Sequence, residues 1–293
     1  MGMEEKMKRD TIKKTRGEAV LFSAVFIIFF VYALTLILPF AWIFYNSFKG
    51  YDEFLYDSIW SFPKNFTFVN WENALYAEAY GVNLPGMLVN SLIFVVGCTT
   101  ISISCSGMTA YCLAKYKFRG NHLMYTAALL LMLIPSLGSM ASTYKFFVDI
   151  NLYDTYLCMF IMSTSGFGTG FLLLYGFFKS LDWSYAEAAF VDGAGHFIVF
   201  FRIMVPMALP GVLSVAIMSA IGIWNDYYTF YMYTPSKVTL SLGLSILLDK
   251  AQQSGDFPGL FSMLIISVAP VLVLFCAFQK QIMKNMTVGG LKG

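Results

Sequence analysis

Six stretches of this chain run without a lysine, arginine, aspartate or glutamate: residues 19–48, 81–114, 123–144, 155–178, 203–225 and 257–278. A helix needs about 20 apolar residues to cross the hydrocarbon core of a bilayer, and each stretch is long enough. In the second, the spanning part lies near 87–114. The chain is 58% hydrophobic and 12% charged, against roughly a quarter charged in a soluble domain. The fold expected is all-α: a polytopic membrane protein with six transmembrane helices.

Six basic residues, Lys6, Lys8, Arg9, Lys13, Lys14 and Arg16, precede the first stretch. Its apolar run exceeds the roughly 7–15 residues of a signal peptide, and no small-x-small cleavage pattern follows promptly, so it reads as the first spanning helix. Lysine and arginine then assign the sides, because cytoplasmic loops carry their excess. The N-terminal tail and residues 115–122, 179–202 and 280–293 hold fourteen of the 19; the alternate segments hold Lys49, Lys64, Lys145, Lys237 and Lys250. Both termini are therefore expected in the cytosol, with the chain multi-pass in the cytoplasmic membrane. The expected order is a basic tail (1–18), a first helix (19–46), an extracytoplasmic loop (47–86), a transmembrane core (87–280) and a second tail (281–293). The 47–86 loop is long enough to fold as a small cap. The other large outer segment, 234–256, is expected to fold back towards a pore or a docked partner.

A net charge of +2 gives no reason to expect nucleic acid as a partner. The five cysteines sit mostly in apolar stretches, and Cys98, Cys105 and Cys112 recur every seven residues beside Gly97, Ser104 and Gly107. That pattern reads as close helix packing rather than a disulfide framework or a metal site. His122 and His196 lie in different cytosolic loops, and no catalytic constellation is present.

The most polar island of the second half is Glu187, Ala188, Ala189, then Asp192 and Gly193, then Ile203 and Pro206. Residues 185–191 form a helix-forming run, with Ser184 as the expected cap and Glu187 completing a capping box. Gly193 and Gly195 should turn the chain, and Pro206 and Pro210 open the next apolar stretch. The outcome expected is a short helix, a bend and a return into the membrane (184–206), with Glu187 and Asp192 open to a soluble partner.

The spacing of these residues resembles the EAA loop of ABC-importer permeases. Further pieces are similar to one branch, the maltose-type carbohydrate permeases. They are Asn90-Ser91-Leu92, the run 110–120, Ile134-Pro135, Tyr144, Leu152-Tyr153-Asp154-Thr155, Trp224-Asn225-Asp226 and the glycine-lysine tail 289–293. Val205 stands where the loop pattern has leucine. The resemblance implies a cytosolic coupling helix between the fourth and fifth membrane helices. It also implies a second homologous permease, a dimer of P-loop ATPase subunits binding ATP and magnesium, an extracytoplasmic solute-binding protein and a sugar substrate in a lipid membrane. The chain has no phosphate-cradling Gly-x-x-x-x-Gly-Lys-Ser/Thr stretch of its own, so it is read as a transport subunit that binds no cofactor itself.

Asn90, Trp224, Asn225, Asp226, Tyr227 and Tyr228 are the candidate substrate path. An acid among aromatic and amide groups suits a sugar's C–H faces and hydroxyls, and the same set also reads as an interfacial aromatic belt with a structural acid. A non-sugar solute such as glycerol phosphate, and an ion-coupled secondary transporter, are the alternative functions.

Overall fold

Three of the apolar stretches form single helices long and apolar enough to cross a membrane. These are α1 (Arg16–Asn46), α4 (Leu84–Lys115) and α15 (Phe257–Val288), in a computed structural model that describes residues 16–134 and 138–288. The basic residues before Arg16, Pro135 and the tail 289–293 lie outside the described residues.

The other three stretches are interrupted. The third is divided into α5 (Asn121–Leu133) and α6 (Ser139–Asp149), and Gly138 before α6 takes a left-handed φ of 91°. The fourth is divided into α7 (Tyr156–Met162) and α8 (Thr169–Ser180). Its break carries three hydroxyls that bond locally: Ser163 Oγ donates to Met159 O at 2.8 Å, Thr164 Oγ1 to Ile161 O at 2.7 Å and Ser165 Oγ to Phe167 O at 2.8 Å. Such side chains offer the backbone an alternative to the helix ladder, and Gly168, at φ 146°, completes the interruption. The fifth stretch is bent near its start: a helical segment over His196–Met207 meets α12 (Leu209–Asn225) at 80°, and the two are long and apolar enough to cross a membrane only when taken together.

Between α1 and α4 lie α2 (Tyr51–Tyr56), α3 (Val69–Tyr76) and a hairpin of β1 (Glu78–Ala79) and β2 (Val82–Asn83), paired Glu78 to Asn83 and Ala79 to Val82. Its turn residues, Tyr80 and Gly81, both have positive φ, as a two-residue hairpin whose twist matches its strands requires. Asn83 then caps α4 by accepting from Gly86 N at 3.0 Å, with Pro85 in the first turn where no donor is needed. After α12 come α13 (Tyr228–Tyr233) and α14 (Leu240–Ser254); α14 packs Leu240, Leu242, Leu247 and Ala251 inward against α4 and α15.

The buried apolar side chains form two clusters. One gathers Leu84, Met87 and Phe94 of α4 with Phe230 and Tyr233 of α13 and the buried face of α14. The other gathers Tyr111 and Leu113 of α4, Phe171, Leu174 and Phe178 of α8, and Phe200 and Met204. Small residues let the helices approach between them: a methyl group at Gly97 would run into the Phe160 ring, and one at Gly211 into Phe177.

Lys49, at the foot of α1, is fully buried. Its Nζ donates to Ser58 O at 3.1 Å and to Ser61 Oγ at 3.5 Å; burial pushes its pKa down while Glu53 and Asp57 hold it up. Asn70 of α3 ties the same turn, its amide donating to Ser47 O at 2.8 Å and Lys49 O at 2.7 Å. Asn70→Ala strands the Lys49 carbonyl and leaves Ser47 O with only the Ser262 hydroxyl at 3.4 Å, and we expect a loss of about 1–3 kcal/mol, read as a lower thermal unfolding midpoint in detergent. An unchanged midpoint would mean that the Lys49 bonds and the aromatic contacts hold the cap without Asn70.

Candidate functional site

The polar island forms α9 (Ser184–Val191). Ser184 is not its cap: the helix begins one residue earlier than the capping-box reading requires, Trp183 stands at the N-cap without a side-chain bond, and Asp182 Oδ1 accepts from Ser184 N at 2.9 Å. That backbone bond is the main cause holding the Asp182 carboxyl below the usual carboxylate range. Glu187 lies in the first turn and is exposed, where its charge complements the positive end of the helix.

The C-terminus is closed by paired bonds. Gly193 N donates to Phe190 O at 3.0 Å and Ala194 N to Ala189 O at 2.9 Å, with Gly193 at φ 84°. This is a Schellman closure, and only glycine takes that backbone conformation at little cost. Gly195, at φ −77°, has no such requirement. The chain continues through α10 (His196–Val199), a π turn at Phe200–Met204 and α11 (Val205–Met207).

Ala186 faces inward and is fully buried, whereas Glu187, Ala188, Asp192 and Gly193 stand exposed on one short element, and Ala189 is half-buried. Ile203 is half-buried against the second cluster, and Pro206 is exposed in the first turn of α11. The island is thus seated by one face and open on the other.

The residues that seat it carried no assigned role in the sequence reading. Lys115, the last residue of α4, donates its Nζ to Leu181 O. Tyr116 OH and His196 Nδ1 share a hydrogen bond of 2.8 Å, and the Tyr116 ring meets Trp183 edge-on at 5.6 Å. The His196 ring meets Phe190 at 4.9 Å. Asn121 Nδ2 fixes the intervening loop by donating to Leu113 O at 3.0 Å and Tyr116 O at 2.8 Å. The signal for these contacts was the run 110–120 itself, whose polar end has no reason to keep aromatic residues unless they pack on something. Beside this joint lies a cleft of about 380 Å³, lined chiefly by Met108, Tyr111, Cys112, Phe118, Phe197 and Phe200.

The candidate path residues meet at a different joint. Asn90 Nδ2 donates to Val238 O at 3.0 Å, and its Oδ1 accepts from Tyr156 OH at 2.6 Å. The next residue, Ser91, accepts from Leu240 N at 2.8 Å, and Ser241 Oγ donates to Asp226 O at 3.0 Å. The segment 238–241 therefore bridges Asn90 and Asp226. Asp226 Oδ1 accepts from Thr229 N at 2.9 Å and so opens α13, while Asn225 bonds back to Ile221 O at 2.9 Å. Trp224 is buried, and the Tyr227 and Tyr228 rings are about half exposed. Among the described residues no group of three or more His, Cys, Asp or Glu could hold a metal ion, and all five cysteines are free.

Residues 102–288 match the family described as "Binding-protein-dependent transport system inner membrane component". The chain is 30% identical over 288 residues to the diacetylchitobiose uptake system permease protein of Streptomyces coelicolor, covering 97% of this chain and 92% of that protein. It is 26% identical over 240 residues to the melibiose/raffinose/stachyose import permease protein of Bacillus subtilis, covering 81% and 86%. Its fold resembles a crystal structure of a bacterial ABC transporter involved in the import of the acidic polysaccharide alginate, with a TM-score of 0.75, 19% identity, and 91% and 98% of the two chains covered.

Two outcomes test the local geometry. Nothing would meet a methyl group at Gly193, so Gly193→Ala isolates the backbone cost; we expect about 1–2 kcal/mol of destabilisation, with Gly193→Asn less affected. Equal stability of the alanine variant would refute the Schellman closure. Because its pKa is lowered on folding, Asp182 stabilises above the usual carboxylate pKa of about 3.9, and the contribution is lost as pH falls through the lowered value. The protection of the Ser184 amide against hydrogen exchange should fall over that acid range, and Asp182→Ala should abolish the dependence.

Proposed function

The chain belongs to the family of binding-protein-dependent transport system inner membrane components, and on that premise we propose that it is one permease subunit of an ATP-driven importer for a carbohydrate. As a member of that family it is a transport subunit rather than an enzyme. The observation that carries the reading is α9: a short helix closed by Gly193 at its C-terminus, seated by Ala186, and open along Glu187, Ala188 and Asp192. A free-standing loop needs no such construction. An element that must enter a partner's groove and transmit force does.

In this reading the membrane is crossed six times: by α1, α4, the pair α5 and α6, the pair α7 and α8, α12 with the segment before its bend, and α15. Both ends then lie on the side where lysine and arginine are in excess, the cytosol. The exposed face of α9 seats in a cytosolic P-loop ATPase, present as a dimer that binds ATP and magnesium. A second, homologous permease completes the path, and an extracytoplasmic solute-binding protein delivers the substrate. Closure of the ATPase pair displaces α9, and the helices attached to it rock between inward-open and outward-open arrangements.

The names of the relatives support a carbohydrate as the substrate class. An ion-coupled carrier would need an acid free to exchange a proton or cation at membrane depth. Asp226, the candidate, commits one carboxylate oxygen to the Thr229 amide and opens a helix with it.

The test is a complex co-expressed with its ATPase and second permease and reconstituted with the binding protein. Glu187→Ala combined with Gly193→Pro should leave the subunits co-purifying while sugar uptake falls by about tenfold or more and ATP hydrolysis no longer answers to the loaded binding protein. Full uptake by that variant would sink the coupling role of α9.

A further inference from the structure

We propose that the cleft between the end of α4 and α10 is a site for an anionic phospholipid, with an acyl chain against its aromatic wall and the phosphate at its basic rim. The proposal requires α4 to cross a membrane. It does not depend on the carbohydrate reading or on the role of α9.

The wall selects the class of ligand. Met108, Cys112, Phe118 and Phe197 are exposed around the cleft, Phe197 to 77%, and Tyr111 and Phe200 form its floor. Tyr116 OH and His196 Nδ1 could have received a polar solute, but they are bonded to each other at 2.8 Å. The Tyr111 hydroxyl has no hydrogen-bond partner but is buried out of reach, so a sugar would find almost no donor or acceptor there, whereas a hydrocarbon chain would cover apolar surface that water hydrates poorly.

The rim supplies the sign of charge. Lys117 and Arg119 are the sequence neighbours of the wall residue Phe118, and Arg202 lies two residues after the floor residue Phe200; none lines the cleft itself, but all three are exposed and within reach of its edge for a side chain of their length. None has a carboxylate within ion-pair distance, since the one ion pair among the described residues is Lys64 with Asp57 on the opposite cap. Lys115, by contrast, spends its ammonium on Leu181 O. Three uncompensated cations where an apolar helix leaves the membrane, beside an apolar cleft, match the chemistry of a phosphodiester carrying acyl chains. A zwitterionic lipid offers the same chains without the net charge.

The position gives the lipid a consequence. Its chain would lie against the Tyr116–His196 joint that seats α9, so an occupied cleft braces that joint.

Cys112 lines the cleft and reports on its occupancy. The complete complex, purified with its partner subunits, would be placed in nanodiscs of phosphatidylcholine with and without phosphatidylglycerol, and maleimide modification of each cysteine followed by peptide mass spectrometry. Phosphatidylglycerol should slow the reaction of Cys112 several-fold and leave Cys276 unchanged, and the combined Lys117→Gln, Arg119→Gln, Arg202→Gln variant should abolish the slowing. Three results would overturn the site: equal rates in the two lipids, protection that survives the triple substitution, or a Cys112 already unreactive in phosphatidylcholine alone, which would place a partner subunit or neutral lipid in the cleft. Should the triple variant unfold, reported by reaction of the buried Cys158, native mass spectrometry of the unaltered complex decides. Retained phosphatidylglycerol without retained phosphatidylcholine supports the site, and no retained lipid overturns it.

Discussion

Backbone N–H and C=O groups at membrane depth have no water to bond, so a chain this apolar must satisfy them internally, and every departure from a continuous helix has to be repaired on the spot. The repairs are recognisable. Thr155 accepts from Cys158 N, Thr239 from Leu242 N, Asp226 from Thr229 N and Asp256 from Gly259 N, each supplying an acceptor to a helix start. Proline removes a further orphan donor: Pro85 stands in the first turn of α4 beside the Asn83 cap, and Pro210 in that of α12, which has no side-chain cap. The 80° bend at Ala208 is held by the same bookkeeping, with Ala208 N donating to Met204 O at 2.9 Å and Val212 N to Ala208 O at 3.0 Å.

Several polar groups left inside after those repairs stitch together segments distant in sequence, while Asn46 Oδ1, Thr99 Oγ1 and Tyr111 OH stay without a partner. Asn90 and Ser91 hold the strand of chain entering α14, and Asp154 Oδ1 accepts from Ser236 N at 3.0 Å. Without a hydrophobic drive between helices in lipid, such bonds and close small-residue contacts do the assembling. This gives Asn90 a structural duty whether or not a substrate passes near it. Its amide and carbonyl are both engaged, and a substrate would have to compete with Val238 and Tyr156 for them.

The long helices were legible because length and charge exclusion alone define them, and α9 was legible because Glu187, Gly193 and Pro206 keep a fixed spacing. The breaks were not. Apolar runs read as continuous by hydropathy, and what interrupts 155–178 is the competition of Ser163, Thr164 and Ser165 for carbonyls, a local effect with no signature in mean hydropathy. The start of α9 was misread by one residue for a related reason. Asp182 and Ser184 are both competent caps, and neither stands at the N-cap: Trp183 does, with Asp182 before it accepting from the Ser184 amide and Lys115 holding the Leu181 carbonyl. The His196–Tyr116 bond spans 80 residues, and only the fold brings its two partners together.

On the proposed function, these attachments decide how a displacement of α9 is shared. Towards α4 the chain around α9 is tied at two points, Lys115 on the Leu181 carbonyl and Tyr116 on His196, and Ala186 is buried in the cluster that α4 and α8 share. Towards α12 the chain passes through a π turn, in which Val205 N reaches back to Phe200 O, and then through Ala208 at φ −84° and ψ 1°, where two helices meet at a wide angle. Element ends of this kind absorb backbone rotation, whereas packed aromatic joints transmit it. If α9 is displaced as proposed, α12 would swing about Ala208 relative to α4 and α8. The gap that opens or closes lies between α12 and the α4–α8 pair, where Gly211 meets the Phe177 ring and Gly170 lies against Val215. Those glycine contacts are the surfaces that must slide, and their lack of side chains permits the helices to come close without interlocking.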